Sequence, residues 1–272
     1  MRNRLPVSFV VLTGTLAAAL VLSPAVLPQT PAQPGSGTTK TSIPDLSGVW
    51  GRLTRGGERV LAPGEGPGFA IMVNGVEPEM LPEAAAKYKA IRSGYLRNPF
   101  DRGHEPLDPT IHCLPYGPTR AFTVNHPFEI VQTPGVVYIL FESGNGIRRV
   151  YMNQEHPEGM YNTYMGHSTG KYEGDALVVD TIALNGLTWI DTMGHPQSDA
   201  MHIVERIRRT AQDILQIDFT FEDPKTYAKP WNGKRVFQLA AGRDALILES
   251  VVCEDHLLED HLPRARRGEA KP

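Results

Sequence analysis

The sequence predicts an all-β protein, an antiparallel β-barrel or strongly curled meander with one accessory helix. From residue 128 onward, apolar and polar residues alternate with a period of two, which is typical of strands with one buried face. The separators "TPG", "GNG", "EGD", "AQD" and "GRD" are short, and such turns join antiparallel neighbours because a parallel crossover needs about a dozen residues. Closure into a barrel is favoured because it removes exposed edges, and a two-sheet β-sandwich is the alternative.

The alternation is clearest in the segment 214–222. Leu215, Ile217, Phe219 and Phe221 fall on one face of this strand, and polar residues fall on the other. The predicted strands are "SGVWGRL" (47–53), 128–132, 136–142, 147–153, 163–172, 176–182, 202–209, 214–222, 234–240 and 245–254.

One segment has the composition of a helix. Residues 78–94, "PEMLPEAAAKYKAIRSG", are rich in Ala, Glu, Leu and Lys, and Gly94 is suited to end the helix. Residues 95–127 contain Pro and Gly at short intervals and are expected to be mostly loop.

The N-terminus has the features of an export signal. Arg2 and Arg4 precede an apolar run over 7–22, and small residues allow cleavage after Ala25 or Ala32. We therefore expect an exported protein, periplasmic or secreted, with no stable membrane span after cleavage; a retained anchor is the alternative. The predicted organisation is a signal peptide over 1–25 (up to 32), a flexible Pro/Gly/Ser/Thr linker over 26–44, a single barrel-like domain over 45–255 and a charged tail over 256–272.

The charge of the chain excludes one class of partner. The formal net charge is −3, so no basic surface indicates nucleic acid, and a small-molecule ligand or substrate is the expected partner. The composition does not determine the oligomeric state. No cofactor and no metal are predicted, because the sequence lacks H-x-H, H-E-x-x-H and C-x-x-C motifs, although distant histidines could still assemble a metal site.

Histidines and carboxylates near the predicted strand ends suggest acid–base chemistry. A histidine titrates near neutral pH and can pass a proton in either direction when a carboxylate orients it. Arg206 could hold an anionic group, and three aromatic residues could stack on a substrate. The predicted catalytic residues are His167, His195, His202, Glu205 and Asp191, and the predicted substrate-binding residues are Arg206, Tyr164, Trp189 and Trp231.

Alternation along 202–209 leaves two orientations open for this strand. His202 and Arg206 lie on one face, and Glu205 lies on the other face with two isoleucines. If the isoleucine face is inside, Glu205 is a buried carboxylate that needs a partner. If the other face lines the lumen, His202 becomes an acid or base and Arg206 an anion clamp.

A rim loop over 191–201 is expected to precede this strand. We expect His167, His195 and at least one of His202 or Glu205 to face a shared cavity, because polar side chains this dense need solvent or one another. "MGH" occurs at 165–167 and again at 193–195, beside small residues that leave room for a ligand.

These residues favour an enzyme that transforms a small, partly aromatic organic molecule. The expected chemistry is metal-independent proton transfer, as in a lyase, isomerase or hydrolase. The alternatives are a non-catalytic small-ligand binding protein of the same fold, or a structural envelope domain if side chains fill the lumen.

Two resemblances support the same fold. The start "SGVWGRL" resembles the lipocalin-like G-x-W opening, with Gly48 and Trp50, which implies a ligand-holding barrel whose floor the tryptophan closes. "HCLPYGPTR", "PFEIVQTPG", "YMGHSTGKYEGDALVVDT", "GHPQSDAMHIVERIRR" and "EDPKTYAKPW" resemble an uncharacterised family of exported bacterial all-β proteins, over about residues 45–255. This resemblance implies fold and compartment, and it carries no site residues.

The two cysteines, Cys113 and Cys253, are expected to form a disulfide, because an exported chain meets an oxidising compartment. Closing so long a loop would stabilise the domain by about 4–5 kcal/mol in the chain-entropy model. Mass measurement of the mature chain without reduction is expected to show the loss of two hydrogens. Two free thiols would contradict the prediction.

Overall fold

The residues that the structure describes form a closed β-barrel of nine strands with one α-helix outside it. The computed structural model describes residues 43–56, 58–68, 70–95, 108–242 and 245–250. The predicted signal peptide, nearly all of the linker, Cys253 and the charged tail lie outside these residues. The elements are β1 (Gly48–Arg52), β2 (Thr54–Arg55), β3 (Glu58–Arg59), α1 (Pro82–Tyr95), β4 (Phe128–Thr133), β5 (Val136–Phe141), β6 (Gly146–Met152), β7 (His167–Glu173), β8 (Ala176–Ile182), β9 (His202–Ala211), β10 (Ile214–Glu222) and β11 (Trp231–Leu239).

The order of strands around the barrel is β1-β11-β10-β9-β8-β7-β6-β5-β4, and β4 pairs with β1 to close the ring. This confirms the predicted all-β barrel with one accessory helix. All neighbouring pairs are antiparallel except β6 and β7, which are parallel, so the prediction of an uninterrupted antiparallel meander is wrong at this pair. A ring with an odd number of strands cannot alternate direction all the way round, so nine strands require at least one parallel pair. The connection 153–166 makes the crossover that this pair needs.

The two ends of the barrel differ in the length of their connections. At the turn end, which comprises 134–135, 174–175 and 212–213, two-residue turns join successive strands. The opposite end, called the loop end, carries the connections 53–127, 142–145, 183–201 and 223–230. Binding and catalytic residues concentrate on long connections held by a rigid scaffold, so functional residues are expected at the loop end.

The predicted last strand, 245–254, is not part of the barrel. Residues 245–250 form no strand, and 251–254 lie outside the described residues. The reason is topological, because β1 pairs with β11 on one side and with β4 on the other. The ring is therefore closed before residue 245, and no edge remains for a further strand to join.

Helix α1 begins at Pro82 rather than at the predicted residue 78. Helical backbone is disfavoured at the residue before a proline, which is Leu81 here. Leu81 instead donates its N–H to the carbonyl of Thr226 at 2.9 Å. The helix packs against the connection 183–201 at Gly194, where a Cβ would lie 2.4 Å from Ile91 Cγ2. Within the described residues, no helix is long and apolar enough to cross a bilayer.

The interior of the barrel is packed with side chains. Phe122, from the connection before β4, reaches inside, where its ring centroid lies 4.9 Å from that of Phe128 and 5.0 Å from that of Phe141. Trp50 is fully buried and donates its indole N–H to the carbonyl of Leu46 at 3.0 Å. The barrel of the described chain is thus closed around an aromatic core, with the Trp of the G-x-W opening inside it.

An ion pair lies within this apolar interior. The isoleucine face of β9 points inward, so Glu205 is a buried carboxylate, and its partner is Arg148 of β6. Arg148 Nη1 donates to Glu205 Oε1 at 3.0 Å, and Nη2 donates to both Glu205 Oε2 and Thr181 Oγ1. Arg148 Nε donates to Ser168 Oγ at 3.1 Å, and Ser168 and Thr181 bond to each other at 2.9 Å. Each nitrogen of this guanidinium has at least one acceptor, as a buried charge requires.

Removing one member of this pair is expected to destabilise the barrel strongly. Glu205→Gln should lower the free energy of unfolding by about 3–5 kcal/mol, because it leaves a buried guanidinium without its counter-charge. The double variant Arg148→Met/Glu205→Leu should recover most of the loss. The matched control is Arg206→Gln, in an exposed pair with Glu173, which should cost less than about 1 kcal/mol. Urea unfolding measures all of these variants, and equal losses in Glu205→Gln and the control would contradict a special role for the buried pair.

Candidate functional site

The five predicted catalytic residues fall into three groups. The first group is the interior ion pair of Glu205 and Arg148. The second is the Asp191 cluster, which comprises Asp191, His195, Glu77 and Tyr88. The third is the outer histidine chain, which comprises His167, His156, Asp180, His202 and Glu222. No hydrogen bond among the described residues joins one group to another.

The Asp191 cluster is a clamp at the loop end with a buried centre, Asp191 and His195, and an exposed outer member, Glu77. Asp191 and His195 are both 0% exposed, and His195 Nδ1 lies 2.8 Å from each carboxylate oxygen of Asp191. Asp191 also accepts the backbone N–H of Ile71 at 3.1 Å. On the other side of the ring, His195 Nε2 lies 2.7 Å from Glu77 Oε2, and Tyr88 of α1 stacks on the imidazole at 4.7 Å between ring centroids. The cluster therefore ties three parts of the chain together.

The charges of this cluster fix the protonation of its histidine. Burial alone would lower the pKa of His195, but the carboxylates of Asp191 and Glu77 outweigh it and raise the pKa to about 9. Burial opposes ionisation of Asp191 as well, yet His195 holds the pKa of that carboxyl below its usual range. At neutral pH His195 is an imidazolium whose two N–H groups each donate to a carboxylate. It has no free lone pair to accept a proton.

The outer histidine chain runs across the outside of the sheet near the loop end. His167 Nδ1 lies 2.8 Å from His156 Nδ1, and His156 Nε2 lies 2.9 Å from Asp180 Oδ1. Asp180 Oδ2 lies 2.8 Å from His202 Nε2, and His202 Nδ1 lies 3.5 Å from Glu222 Oε2. Three imidazoles and two carboxylates thus form one continuous path of polar contacts.

Sheet register brings these side chains together. His167 begins β7, His202 begins β9 and Glu222 ends β10 opposite His202. Residues two apart in a strand share a face, so His167 lies on the same outward face as Thr169, which is the direct partner of Asp180. His156 comes from the crossover 153–166.

The chain of contacts determines the tautomer of each histidine. An ionised carboxylate only accepts hydrogen bonds, so His156 must carry its proton on Nε2, facing Asp180. A neutral His156 then has an unprotonated Nδ1, which accepts a hydrogen bond, and His167 must donate from its own Nδ1. Neutral His167 is left with an unprotonated Nε2. Among the described residues, no hydrogen-bonding partner lies on this nitrogen.

The electrostatics keep His167 neutral and Asp180 ionised. Burial, and then the neighbouring His156, lower the pKa of His167 below the usual histidine value. The hydrogen bond from His202, supported by that from His156, lowers the pKa of Asp180 despite its partial burial. The hydrogen bond to Asp180 raises the pKa of His202, so His202 and His167 shift in opposite directions. Titratable groups whose pKa values are pushed apart in this way are characteristic of acid–base sites.

The predicted shared cavity does not form as expected, because the inward-facing isoleucines of β9 place Glu205 and His202 on opposite sides of the barrel wall. His167 and His202 do belong to one group, whereas His195 lies buried under α1. Arg206 faces outward and pairs with Glu173 at 3.0 Å. The alternative in which the His202 face lines the lumen is therefore wrong.

The predicted stacking residues are used in packing. Trp189 is buried, and the guanidinium carbon of Arg120 lies over its indole ring at 4.8 Å from the ring centroid. Trp231 is buried and stacks on Phe221 at 4.3 Å, which helps to fill the loop end. Tyr164 is half-buried on the crossover 153–166.

Three residues of the outer histidine chain, Asp180, His156 and Glu222, are not among the predicted catalytic residues. Asp180 lies in the predicted strand 176–182, and the short "EGD" turn fixes its register opposite Thr169. The hairpin therefore contained a usable signal. His156 carries no such signal, because only the crossover brings it to the sheet. Within the described part of the chain, no group of three or more His, Cys, Asp or Glu side chains has a geometry that could hold a metal ion.

The raised pKa of His195 predicts a pH-dependent contribution to stability. Because the folded pKa of about 9 exceeds the ordinary value of 6.5, protonated His195 stabilises the fold fully below pH 6.5, and this stabilisation is lost as the pH rises through 9. The difference in unfolding free energy between wild type and His195→Gln should be about 3 kcal/mol larger below pH 6.5 than above pH 9, at about 1.4 kcal/mol per pKa unit. Urea unfolding across this range measures it. A difference between wild type and His195→Gln that does not change with pH would contradict the clamp.

Comparisons with known proteins leave the site to be interpreted from its geometry. A scan against protein-family models found no match, and neither did a search of curated proteins. The resemblance to exported all-β proteins and to the lipocalin-like opening therefore stays a prediction.

Proposed function

We propose that the protein is an exported acid–base enzyme in which His167 takes a proton from a small organic substrate bound on the outer face of the barrel. The single observation that carries this proposal is the path of contacts from Asp180 through His156 to His167, from which we deduce that Nε2 of His167 is unprotonated. A carboxylate that fixes the tautomer of a histidine is the arrangement that makes imidazole an oriented base. Here the arrangement is extended by one further imidazole.

The other two groups lack this property. His195 donates from both ring nitrogens and is 0% exposed, so neither nitrogen can accept a proton from a substrate. Glu205 is enclosed in the barrel and bound by Arg148. His167 is only half-buried, and its ring stacks on Tyr151 at 5.0 Å between centroids, which holds its orientation. The base is thus both oriented and reachable.

The reaction class follows from the chemistry of a neutral imidazole. The lone pair on Nε2 of His167 forms a bond to the proton of an acidic C–H group, the C–H bond breaks, and its electron pair moves into an adjacent carbonyl or expels a leaving group. An isomerase returns the proton to another atom of the same substrate, and a lyase releases the leaving group. His156, Asp180 and His202 are positioning residues in this scheme, because they hold the tautomer and charge of the base without touching the substrate.

A non-catalytic envelope domain is the second candidate. The packed interior favours it, because the rings around Phe122 and the ion pair of Arg148 and Glu205 occupy the space in which a carrier of this fold would hold its ligand. In that case the outer histidine chain would only tie the crossover 153–166 to the sheet.

Kemp elimination of 5-nitrobenzisoxazole tests the proposal, because it needs only an oriented base next to a site for a flat aromatic molecule. The base removes the ring C–H proton, the N–O bond breaks and a coloured phenolate is released. The mature wild-type chain should exceed equimolar free imidazole by at least about 100-fold, which is the lower range of general-base catalysis. The pH at which the rate is half-maximal should lie below the usual histidine pKa, because the pKa of His167 is lowered.

The variants separate the base from its supports. His167→Gln should reduce the rate to background, and Asp180→Asn should reduce it at least about tenfold by releasing the tautomer of the relay. His126→Gln, which changes an exposed histidine paired with Glu142, should leave the rate unchanged. A wild-type rate equal to that of imidazole, or an unchanged rate in His167→Gln, would overturn the proposal and favour the envelope domain.

A further inference from the structure

A cavity of about 380 Å³ opens at the loop end. Its walls come from the turn between β5 and β6, from the connection before β4 and from the end of the crossover 153–166. Tyr116 forms one wall and approaches Gly144 so closely that an added Cβ would lie 3.1 Å from the ring, at a backbone φ of +66° that favours glycine. The lining also includes Phe141, Ile147 and Met165. The size and the aromatic and aliphatic lining suit a small flat apolar group.

Chain geometry places this cavity next to the proposed base. Met165 precedes His167 by two residues, so their Cα atoms lie at most about 7.6 Å apart. Ile147 precedes Arg149 by two residues in β6, so both side chains leave the same outward face of the strand. A ligand whose apolar part enters the cavity would thus extend onto the sheet surface at Arg149 and His167.

Arg149 stands in line with the base across the sheet. Arg149 pairs directly with Tyr138 of β5. The residue after Arg149 is Val150, which pairs with Ser168, the residue after His167. Arg149 and His167 are therefore level with each other on neighbouring strands. Neighbouring strands are about 4.8 Å apart, so the outward positions of residues 138, 149 and 167 form one row. Arg149 is exposed, and no carboxylate among the described residues pairs with it. A guanidinium in this place can bind a carboxylate through paired N–H groups.

We infer that the substrate is a small aromatic carboxylate whose ring occupies the cavity of Tyr116, Ile147 and Met165 and whose anionic group binds Arg149. This inference rests on the proposed function for the identity of the reacting centre, which would be a C–H group between the ring and the carboxylate, facing His167. Arg149 would then have two effects. It would hold the ground-state anion in register, and its positive charge would favour the negative charge that develops when the proton leaves.

Binding of two matched probes tests this inference without requiring turnover. Phenylacetate carries the ring and the carboxylate, and 2-phenylethanol replaces the carboxylate with a neutral hydroxyl. Isothermal titration calorimetry on the mature wild-type chain should show tighter binding of phenylacetate. Arg149→Gln should weaken phenylacetate at least about tenfold, the loss expected for a charge-assisted hydrogen bond, and should leave 2-phenylethanol unchanged.

Two further variants complete the test. Ile147→Gln should weaken both probes, and since this side chain is 51% exposed, the substitution should not unfold the barrel. Arg208→Gln, at an arginine paired with Asp218 on the outer face, is the matched charge control and should change neither affinity. Absence of wild-type binding, equal affinity for both probes, or equal effects of Arg149→Gln and Arg208→Gln would overturn the inference. Because calorimetry reports binding alone, any of these results would leave the Kemp elimination test of His167 standing on its own.

Discussion

Closure of the sheet into a ring of nine strands is the constraint on which the rest of the structure depends. An odd ring requires a parallel pair, and a parallel pair requires a crossover that returns from one end of the barrel to the other. In this protein the crossover is the connection 153–166 between β6 and β7. It carries His156 onto the outward face of β7 and β8, where the imidazole bridges His167 and Asp180. The crossover that the odd number of strands requires thus also completes the outer histidine chain.

Three sets of carboxylates and bases in one domain have different consequences because their surroundings differ. Inside the barrel, Glu205 and a guanidinium satisfy each other in an apolar interior, which specifies how the strands pack. Beneath the helix, His195 lies between two carboxylates and holds a proton that fastens loops together. On the outer face, only one carboxylate supports His156 and His167, and one ring nitrogen remains free. The balance of hydrogen-bond donors and acceptors thus distinguishes His167, the proposed base, from His195 in the Asp191 cluster.

The packed interior also determines where a ligand can be held. Phe122 and the aromatic residues around it fill the space that a ligand-carrying barrel leaves open. The cavity next to Tyr116 lies instead at the rim, formed by connections that rest on the ends of β5, β6 and β7. A rim cavity and an outward-facing base are compatible with a small substrate that lies across the barrel edge, with solvent on one side. Such a site combines a rigid support from the sheet with the variable chemistry of connections.

The sequence by itself determined the strands, because alternation with a period of two and short turns are local properties. The strand 214–222 and the shared face of Leu215 to Phe221 follow from this pattern alone, and the same pattern limits Glu205 to two orientations, inward or outward. Local pattern could not decide that choice, since both faces of 202–209 carry polar residues, and the partner of Glu205 is 57 residues away. The parallel pair, the rejection of 245–254 as a strand and the arrival of His156 depend on how distant strands close into a ring. Ring closure and long-range polar pairing are properties of the whole chain in three dimensions, so only the tertiary structure could decide them.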